Sequence, residues 1–261
     1  MIGSGTWPDK IQSAVKNEWR VSRVPARRFL EDPTVLKFEE VDVIWVCTTP
    51  ELQNKILHDT SKYSKKIIIE KSFANNKSEM KDLRDQLLIQ KGQVTWSQPW
   101  TFSEVWEEIK KEINTFSANI QIDVIRGGRK KRNYINAFLD WLPHDFSLLY
   151  DLSETKSLEN LSSVTETKLS QDFRQYDLVL NKHLKFQIQG GFINTTRMGI
   201  WKLRTSEKEK IFDFYPVNNS EDYRFENNIL KMLNQAANNP QPIFAFLDFF
   251  EKIIYQDFKK K

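Results

Sequence analysis

Short apolar runs alternate with helical patterns through the first third of the chain. Residues 41–48 (VDVIWVCT) and 66–70 (KIIIE) are almost continuously apolar, which is typical of strands covered on both faces in a parallel sheet. We predict helices at 51–63 and 77–90 and a further short strand at 93–96. Strands and helices that alternate at this spacing predict a doubly wound α/β sheet.

The pattern changes after residue 97, where strand-like stretches become more frequent than helical ones. The predicted elements are a helix at 100–116, a strand at 119–126, five strand-like stretches within 158–215, and helices at 225–237 and 244–258. We expect hairpin turns at Asn181-Lys182 and at Gly190-Gly191. This part of the chain is therefore predicted to be α+β, with a large, mostly antiparallel open sheet.

A glycine turn lies at the start of the chain, where Gly3, Ser4 and Gly5 separate a very short apolar strand from a helix predicted at 10–15. In a strand–glycine turn–helix unit, backbone N–H groups at the helix N-terminus receive a dinucleotide pyrophosphate. Pro8 stands where the third glycine of the usual G-x-G-x-x-G pattern would be. The same residues also fit a simple glycine turn without a ligand.

Three arginines follow the glycine turn at the distance where dinucleotide folds usually place an acidic residue that binds the adenosine ribose. Arg23 is the second-last residue of a strand predicted at 19–24, and Arg27 and Arg28 come soon after it. Arginines at these positions would hold a 2′-phosphate, which favours NADP. Alternatively, they form a solvated charged loop.

An acid and an imidazole lie four residues apart in the apolar stretch 137–152, as Asp140 and His144. Pro143 fits the first turn of a helix better than its interior, so we predict a helix that begins at 141–143 with Asp140 as its N-cap. The pair is a candidate for proton transfer, because histidine titrates near neutral pH. A structural cap beside a hydrogen-bonded histidine is the alternative.

Composition narrows the classes of function. The 261 residues carry a formal charge of only +4, which does not favour nucleic acid. The basic stretch 126–132 is interpreted as a solvated loop, with phosphate binding as the alternative. No apolar run is long enough to cross a membrane, and no secretory leader is recognisable. Cys47 is the single cysteine, so we expect no disulfide, no cysteine-based zinc site and a cytoplasmic protein. The three histidines are too scattered along the sequence to predict a metal site.

Four short motifs occur in order along the chain. They are Gly3-Ser4-Gly5-Thr6-Trp7-Pro8, Cys47-Thr48-Thr49-Pro50, Glu70-Lys71-Ser72 and Asp140-Trp141-Leu142-Pro143-His144. With them the chain resembles the Gfo/Idh/MocA oxidoreductases, which are two-domain NAD(P)-dependent enzymes that mostly act on sugars, cyclitols and sugar nucleotides. The segment between Gly5 and Cys47 is shorter than in that family, so we expect the second helix of the nucleotide-binding domain to be reduced or missing.

The resemblance implies a Rossmann-like dinucleotide-binding domain at 1–97 and a substrate-binding and oligomerisation domain at 98–261. The cofactor would be NAD or NADP. The cofactor-binding residues implied in this way are Gly3, Ser4, Gly5, Thr6, Trp7, Arg23, Thr48, Thr49, Pro50, Glu70 and Lys71.

The resemblance also assigns catalytic roles to Lys71, His144 and Asp140. His144 would be the general acid/base on the reacting oxygen of a carbohydrate-like substrate, such as a sugar, cyclitol or nucleotide-sugar. Lys71 would hydrogen-bond that oxygen, and Asp140 would orient His144 or a substrate hydroxyl. The expected reaction is hydride transfer. The resemblance also implies a homo-oligomer, either a dimer or a tetramer, and a role in the biosynthesis of surface polysaccharides or secondary metabolites. The alternative is a catalytically silent relative that acts as a binding or regulatory subunit.

Overall fold

The structure is a computed structural model, and it describes residues 1–115, 119–128, 132, 135–153, 161–180, 184–193, 197–215, 221–241 and 243–255. The chain divides into two units, which are Met1–Pro99 with Asp222–Phe244, and Trp100–Glu221 with Ala245–Lys261. The first unit thus takes up residues 222–244, which the sequence-based division placed in the second domain. Within the described ranges, no helix combines the length and apolarity needed to cross a membrane.

The first unit contains a four-stranded parallel sheet in the order β1-β2-β3-β4. The strands are β1 (Ile2–Gly3), β2 (Val43–Cys47), β3 (Lys66–Ile69) and β4 (Val94–Trp96). The helices of this unit are α1 (Thr6–Val15), α2 (Ala26–Glu31), α3 (Pro50–Thr60), α4 (Lys77–Leu88) and α8 (Glu221–Asn238). Helix α8 belongs to this unit from Asp222 on. Ile44, Val46 and Ile67–Ile69 are almost completely buried, which confirms the predicted Rossmann-like parallel sheet.

Strand β1 is the point where the order of the sheet reverses. Ile2 pairs with Val46 of β2 on one side and forms a parallel bridge with Val24 on the other. Only Val24 pairs in this way, so the strand predicted at 19–24 is reduced to a single bridge. Helix α2 has six residues, which confirms the expected shortening between the glycine turn and β2. In doubly wound folds, ligands bind outside the carboxyl ends of the strands at such a reversal.

The second unit contains a six-stranded sheet in the order β10-β9-β5-β8-β7-β6. The strands are β5 (Ile120–Gly128), β6 (Leu161–Lys168), β7 (Phe173–Leu180), β8 (Leu184–Phe192), β9 (Met198–Arg204) and β10 (Glu209–Asp213). The helices are α5 (Glu104–Thr115), α6 (Ala137–Trp141), α7 (Pro143–Leu152) and α9 (Ile243–Ile254), which belongs to this unit from Ala245 on. Every pairing is antiparallel except that of β5 with β8, which confirms the predicted mostly antiparallel sheet.

The glycine pair Gly190-Gly191 lies inside strand β8, so the hairpin expected there is wrong. A Cβ atom at Gly190 would lie 2.4 Å from a methyl carbon of Leu142, between α6 and α7. The glycine therefore serves close packing of a helix on the sheet, a role that sequence alone does not separate from a turn. The other expected hairpin, at Asn181-Lys182, lies outside the described residues.

Helix α7 is held to the sheet by a fully buried ion pair between Arg126 of β5 and Asp145. The Arg126 Nε lies 2.6 Å from Asp145 Oδ2, and Nη2 lies 2.8 Å from Oδ1. Trp201 Nε1 donates a further hydrogen bond of 2.9 Å to the same carboxylate, and Arg126 Nη1 donates one of 3.1 Å to the Tyr215 hydroxyl. Burial alone would lower the pKa of Arg126, but the Asp145 carboxylate raises it.

Arg126 was expected in a solvated basic loop at 126–132, and this part of the interpretation is wrong. The strand β5 continues through Gly128, and its alternation turns Arg126 toward the core. Residues 129–131, which carry most of the charge of that stretch, lie outside the described residues.

We expect Asp145→Ala to lower the free energy of unfolding by about 3–5 kcal/mol, because the variant leaves a buried guanidinium unpaired. The measurement is urea denaturation followed by circular dichroism. Asp123→Ala is the matched control, since Asp123 pairs with the exposed Arg204, and such pairs contribute about 1 kcal/mol or less. Replacing both partners, with Arg126→Met and Asp145→Leu, should recover much of the loss. Equal losses for Asp145→Ala and Asp123→Ala would contradict the role of the pair.

Candidate functional site

The glycine turn of the first unit combines a tight approach to the sheet with open backbone at the start of α1. Gly3 has φ +152°, and a Cβ atom there would lie 2.3 Å from the Cys47 carbonyl oxygen of β2. Gly5 has φ +103° and would place a Cβ atom with no neighbour within 4 Å. Only glycine adopts these conformations without strain. A ligand can therefore approach the backbone at Gly5 closely.

Helix α1 begins at Thr6, directly after Gly5. Its first N–H groups have no intrahelical partner, and they carry the positive end of the helix dipole. Pro8 is buried in the first turn, where its missing N–H breaks no helical hydrogen bond. Because of Pro8, the start of α1 offers one N–H donor fewer to a bound anion. The N–H groups of Thr6 and Trp7 are retained there.

Arg23 supports the glycine turn from the side. Its Nε donates to the Gly3 carbonyl oxygen at 3.3 Å, and its Nη2 donates to the Gly5 carbonyl oxygen at 3.1 Å. The Nη1 atom pairs with Asp9 of α1. The sequence left a 2′-phosphate-binding arginine and a solvated charged loop as alternatives here, and the structure places the Arg23 guanidinium on the glycine turn itself. Arg27 and Arg28 are exposed on α2.

The carboxyl ends of β2 and β3 carry the second and third motifs. Thr48 and Thr49 are half-buried after β2, and Pro50 is the first residue of α3. After β3, Lys71 is half-buried, and the Lys71–Ser72 peptide bond is cis. These ends lie at the same edge of the parallel sheet as Gly3, so the first unit brings the predicted cofactor-binding residues to one edge.

Glu70 is buried at this edge, and Trp45 Nε1 donates a hydrogen bond of 2.8 Å to its Oε1. Burial raises the pKa of the Glu70 carboxyl, although hydrogen bonds to it and the charge of Lys71 act in the opposite direction. Burial also raises the pKa of the neighbouring Cys47 thiol, with the charge of Glu70 as the second cause. Among the described residues, no group of three or more His, Cys, Asp or Glu could hold a metal ion.

In the second unit, the fourth motif spans the junction between α6 and α7. Asp140 lies inside α6 and Leu142 is the N-cap of α7, so the predicted N-cap at Asp140 is wrong. Leu142 keeps a helical conformation, and the missing N–H of Pro143 interrupts the hydrogen-bond ladder there. As predicted, Pro143 is the first residue of the helix, and the half-buried His144 is the second.

Asp140 forms an ion pair that the sequence did not indicate. Arg132 Nη1 lies 3.1 Å from Asp140 Oδ1, and the Asp140 side chain is only 5% exposed. The sequence offered no signal for this pair, because Arg132 looked like one of several charges in a basic stretch. The pair fixes the carboxylate four residues before His144.

The architecture is that of solved dehydrogenase structures. A myo-inositol 2-dehydrogenase from Lactobacillus plantarum matches with a TM-score of 0.69 and 10% identity, covering 96% of this chain and 93% of that chain. The WlbA dehydrogenase from Thermus thermophilus matches with a TM-score of 0.68 and 9% identity, over 96% and 91% of the two chains.

A UDP-N-acetylglucosamine 3-dehydrogenase from Acidithiobacillus ferrooxidans matches with a TM-score of 0.67 and 14% identity, over 95% and 92% of the two chains. At these identities the matches establish the fold. No protein-family model matches the sequence, and no curated protein matches it.

Replacing the buried acid with an amide should change how stability depends on pH. Because the folded pKa of Glu70 is raised, its contribution to stability is complete below the unfolded pKa of about 4.3 and is lost as pH rises through the folded pKa. We expect Glu70→Gln to gain stability relative to wild type as pH rises through that window. Urea denaturation from acidic to neutral pH measures the difference, with the exposed Glu39→Gln as control. A wild-type-minus-variant difference that is constant with pH would refute the assignment.

Proposed function

We propose that the chain is an NAD(P)-dependent oxidoreductase that transfers a hydride to or from a carbon–oxygen centre of a carbohydrate-like substrate. The observation that carries this proposal is the glycine turn at the reversal of the parallel sheet. Gly5 leaves the backbone open in front of the ten-residue helix α1, which is the arrangement that receives a pyrophosphate in dinucleotide-binding folds.

The structural neighbours support a nicotinamide dinucleotide as cofactor. The WlbA dehydrogenase was solved with NAD and UDP-GlcNAcA, a biliverdin reductase from Synechocystis with NADP+, and a myo-inositol dehydrogenase from Lactobacillus casei with NAD(H) and myo-inositol. In this chain, Gly3, Gly5 and Thr48 would hold the dinucleotide, with the N–H groups at the start of α1 against its phosphates. When bound, the nicotinamide supplies the hydride acceptor or donor.

The other steps belong to side chains of this chain. His144 acts as the general acid/base that moves the proton of the reacting hydroxyl or carbonyl oxygen. Lys71 provides a hydrogen bond and positive charge to that oxygen as charge develops on it. Asp140 is held by Arg132 and is a positioning residue for His144 or for a substrate hydroxyl.

A second candidate function is a silent relative that keeps the fold and has lost the dinucleotide. Two observations favour it, namely the donor lost at Pro8 and the engagement of Arg23 with the turn. This candidate predicts no binding of either NADH or NADPH.

The two functions are separated by titrating NADH and NADPH into the protein and following nicotinamide fluorescence. We expect saturable binding below about 1 mM, the upper end of ordinary enzyme–substrate affinities. Gly5→Ala should weaken dinucleotide binding about tenfold or more. The methyl group would occupy the open space through which the dinucleotide approaches the backbone, and alanine would be strained at φ +103°. Gln12→Ala, on the exposed side of α1, is the control. Absence of binding to both nucleotides would favour the silent relative.

The catalytic assignments are tested by turnover with a panel of sugars, cyclitols and nucleotide-sugars, followed by nicotinamide absorbance. Replacing His144 with alanine should reduce kcat about 10²–10⁴-fold, the usual contribution of general acid/base catalysis. Lys71→Ala should also reduce kcat strongly. His58→Ala is the matched control, because His58 is exposed on α3. Unchanged turnover in the Lys71 and His144 variants would show that these residues are not catalytic.

A further inference from the structure

An exposed arginine of the second unit lies over two aromatic rings beside the fourth motif. The Arg197 guanidinium carbon lies 4.1 Å from the centroid of the Tyr215 ring and 5.7 Å from that of Trp141. Trp141 directly follows Asp140 in the chain. Its indole ring packs against Gly128 at the end of β5, where a Cβ atom would lie only 3.0 Å from the ring. The contacts fix the guanidinium next to the candidate catalytic helix junction.

The position of Arg197 is set from inside the core. Tyr215 accepts a hydrogen bond from the buried Arg126, which Asp145 holds in place. Gly199 makes room for this arrangement, because a Cβ atom there would lie 2.7 Å from the Tyr215 ring and 2.8 Å from Arg126 Nη1. An exposed side chain with four rotatable bonds is thereby pre-organised, which lowers the entropy lost when it binds a ligand.

Unlike Arg132 and Arg126, Arg197 has no counter-ion among the described residues. Asp140 pairs with Arg132 and Asp145 pairs with Arg126, while Arg197 forms no ion pair with any residue that the structure describes. Within the same described ranges, the buried Nε1 of Trp141 has no hydrogen-bond acceptor. An exposed cation and a buried N–H donor, both without an acceptor among the described residues, therefore occur at the same pair of rings.

Another stacked arginine of the same unit shows what a purely structural role looks like. Arg174 lies 4.8 Å from the Phe138 ring centroid, in a contact similar to that of Arg197. It also forms an ion pair of 3.0 Å with Glu166 and donates to the backbone carbonyl oxygen of Gln171. Among the residues that the structure describes, Arg174 thus has hydrogen-bond acceptors and Arg197 has none.

We propose that Arg197, on its platform of Tyr215 and Trp141, binds an anionic group of the substrate, either a carboxylate or a phosphate. This inference rests on the proposed function, because it places the anion on the same substrate whose reacting oxygen His144 serves. A guanidinium matches the two oxygens of either anion with paired N–H donors. The substrate class narrows from carbohydrates in general to acidic sugars, sugar phosphates and nucleotide-sugars.

The test is isothermal titration calorimetry of the full chain without dinucleotide. The anionic probes are glucuronate, glucose 1-phosphate and UDP-glucose, and glucose and myo-inositol are the neutral probes. We expect at least one anionic probe to bind more tightly than the neutral ones, and the binding to weaken as salt is added. Binding of glucuronate and of neither phosphorylated probe would show that the site takes a carboxylate. Binding of glucose 1-phosphate and UDP-glucose without glucuronate would show that it takes a phosphate.

Arg197→Ala should weaken the anionic probes about tenfold or more, in line with a hydrogen-bonded charge pair, and should leave the neutral probes unchanged. Arg197→Lys should recover part of the affinity, because it keeps the charge and loses the paired donors. Arg204→Ala is the matched control, since Arg204 is an exposed arginine of β9 that pairs with Asp123.

Two results would overturn the inference. They are wild-type protein that binds no anionic probe up to about 10 mM, and Arg197→Ala protein that binds these probes as tightly as wild type. Neither measurement depends on the dinucleotide. Failure of NADH and NADPH to bind would therefore contradict the proposed function without affecting the measured binding of anions at Arg197. Conversely, dinucleotide binding without anion binding would overturn this inference alone.

Discussion

The buried ion pair of Arg126 and Asp145 is the interaction on which the second unit depends. Both side chains are fully buried, and hydrogen bonds satisfy both carboxylate oxygens and all three guanidinium nitrogens. Rings of Trp100, Phe214 and Tyr215 surround the guanidinium at 5.0–5.8 Å. Two charges can remain in an apolar core only when they are paired and hydrogen-bonded in this way. Because Asp145 directly follows His144, the pair also fixes the first turn of the candidate catalytic helix.

The first unit depends on a different constraint, which is the conformation of two glycines. Gly3 lets β1 lie against the Cys47 carbonyl group, and Gly5 turns the chain into α1. Strand pairing at β1 then places the ends of β2 and β3 beside the turn. In the first unit, the backbone conformation of two glycines therefore positions the edge of the parallel sheet. In the second unit, a buried ion pair positions the junction between α6 and α7.

The sequence predicted those parts of the fold that depend on local patterns. Continuous apolar runs identified β2 and β3, and Pro143 located the start of α7. Long-range partners were not predictable, because a sequence does not show which residue a charge will meet. Arg126 looked like part of a solvated loop, although its alternation with Ile122 and Val124 along β5 was a signal for the buried face. Gly190 looked like part of a turn because the sequence does not show that Leu142 packs against this position and leaves no room for a side chain.

Arg23 has a consequence for how this chain can change. Dinucleotide folds usually read the adenosine ribose at about this point in the sequence, and that position can then vary independently of the turn. Here one guanidinium clasps Gly3, Gly5 and Asp9 together. Under the proposed function, a substitution of Arg23 would alter the glycine turn and the ribose-binding end of the dinucleotide site at once. If the chain binds a dinucleotide as proposed, changes in nucleotide preference would be directed to neighbouring positions, such as the exposed Arg27 and Arg28, which lie outside this set of contacts.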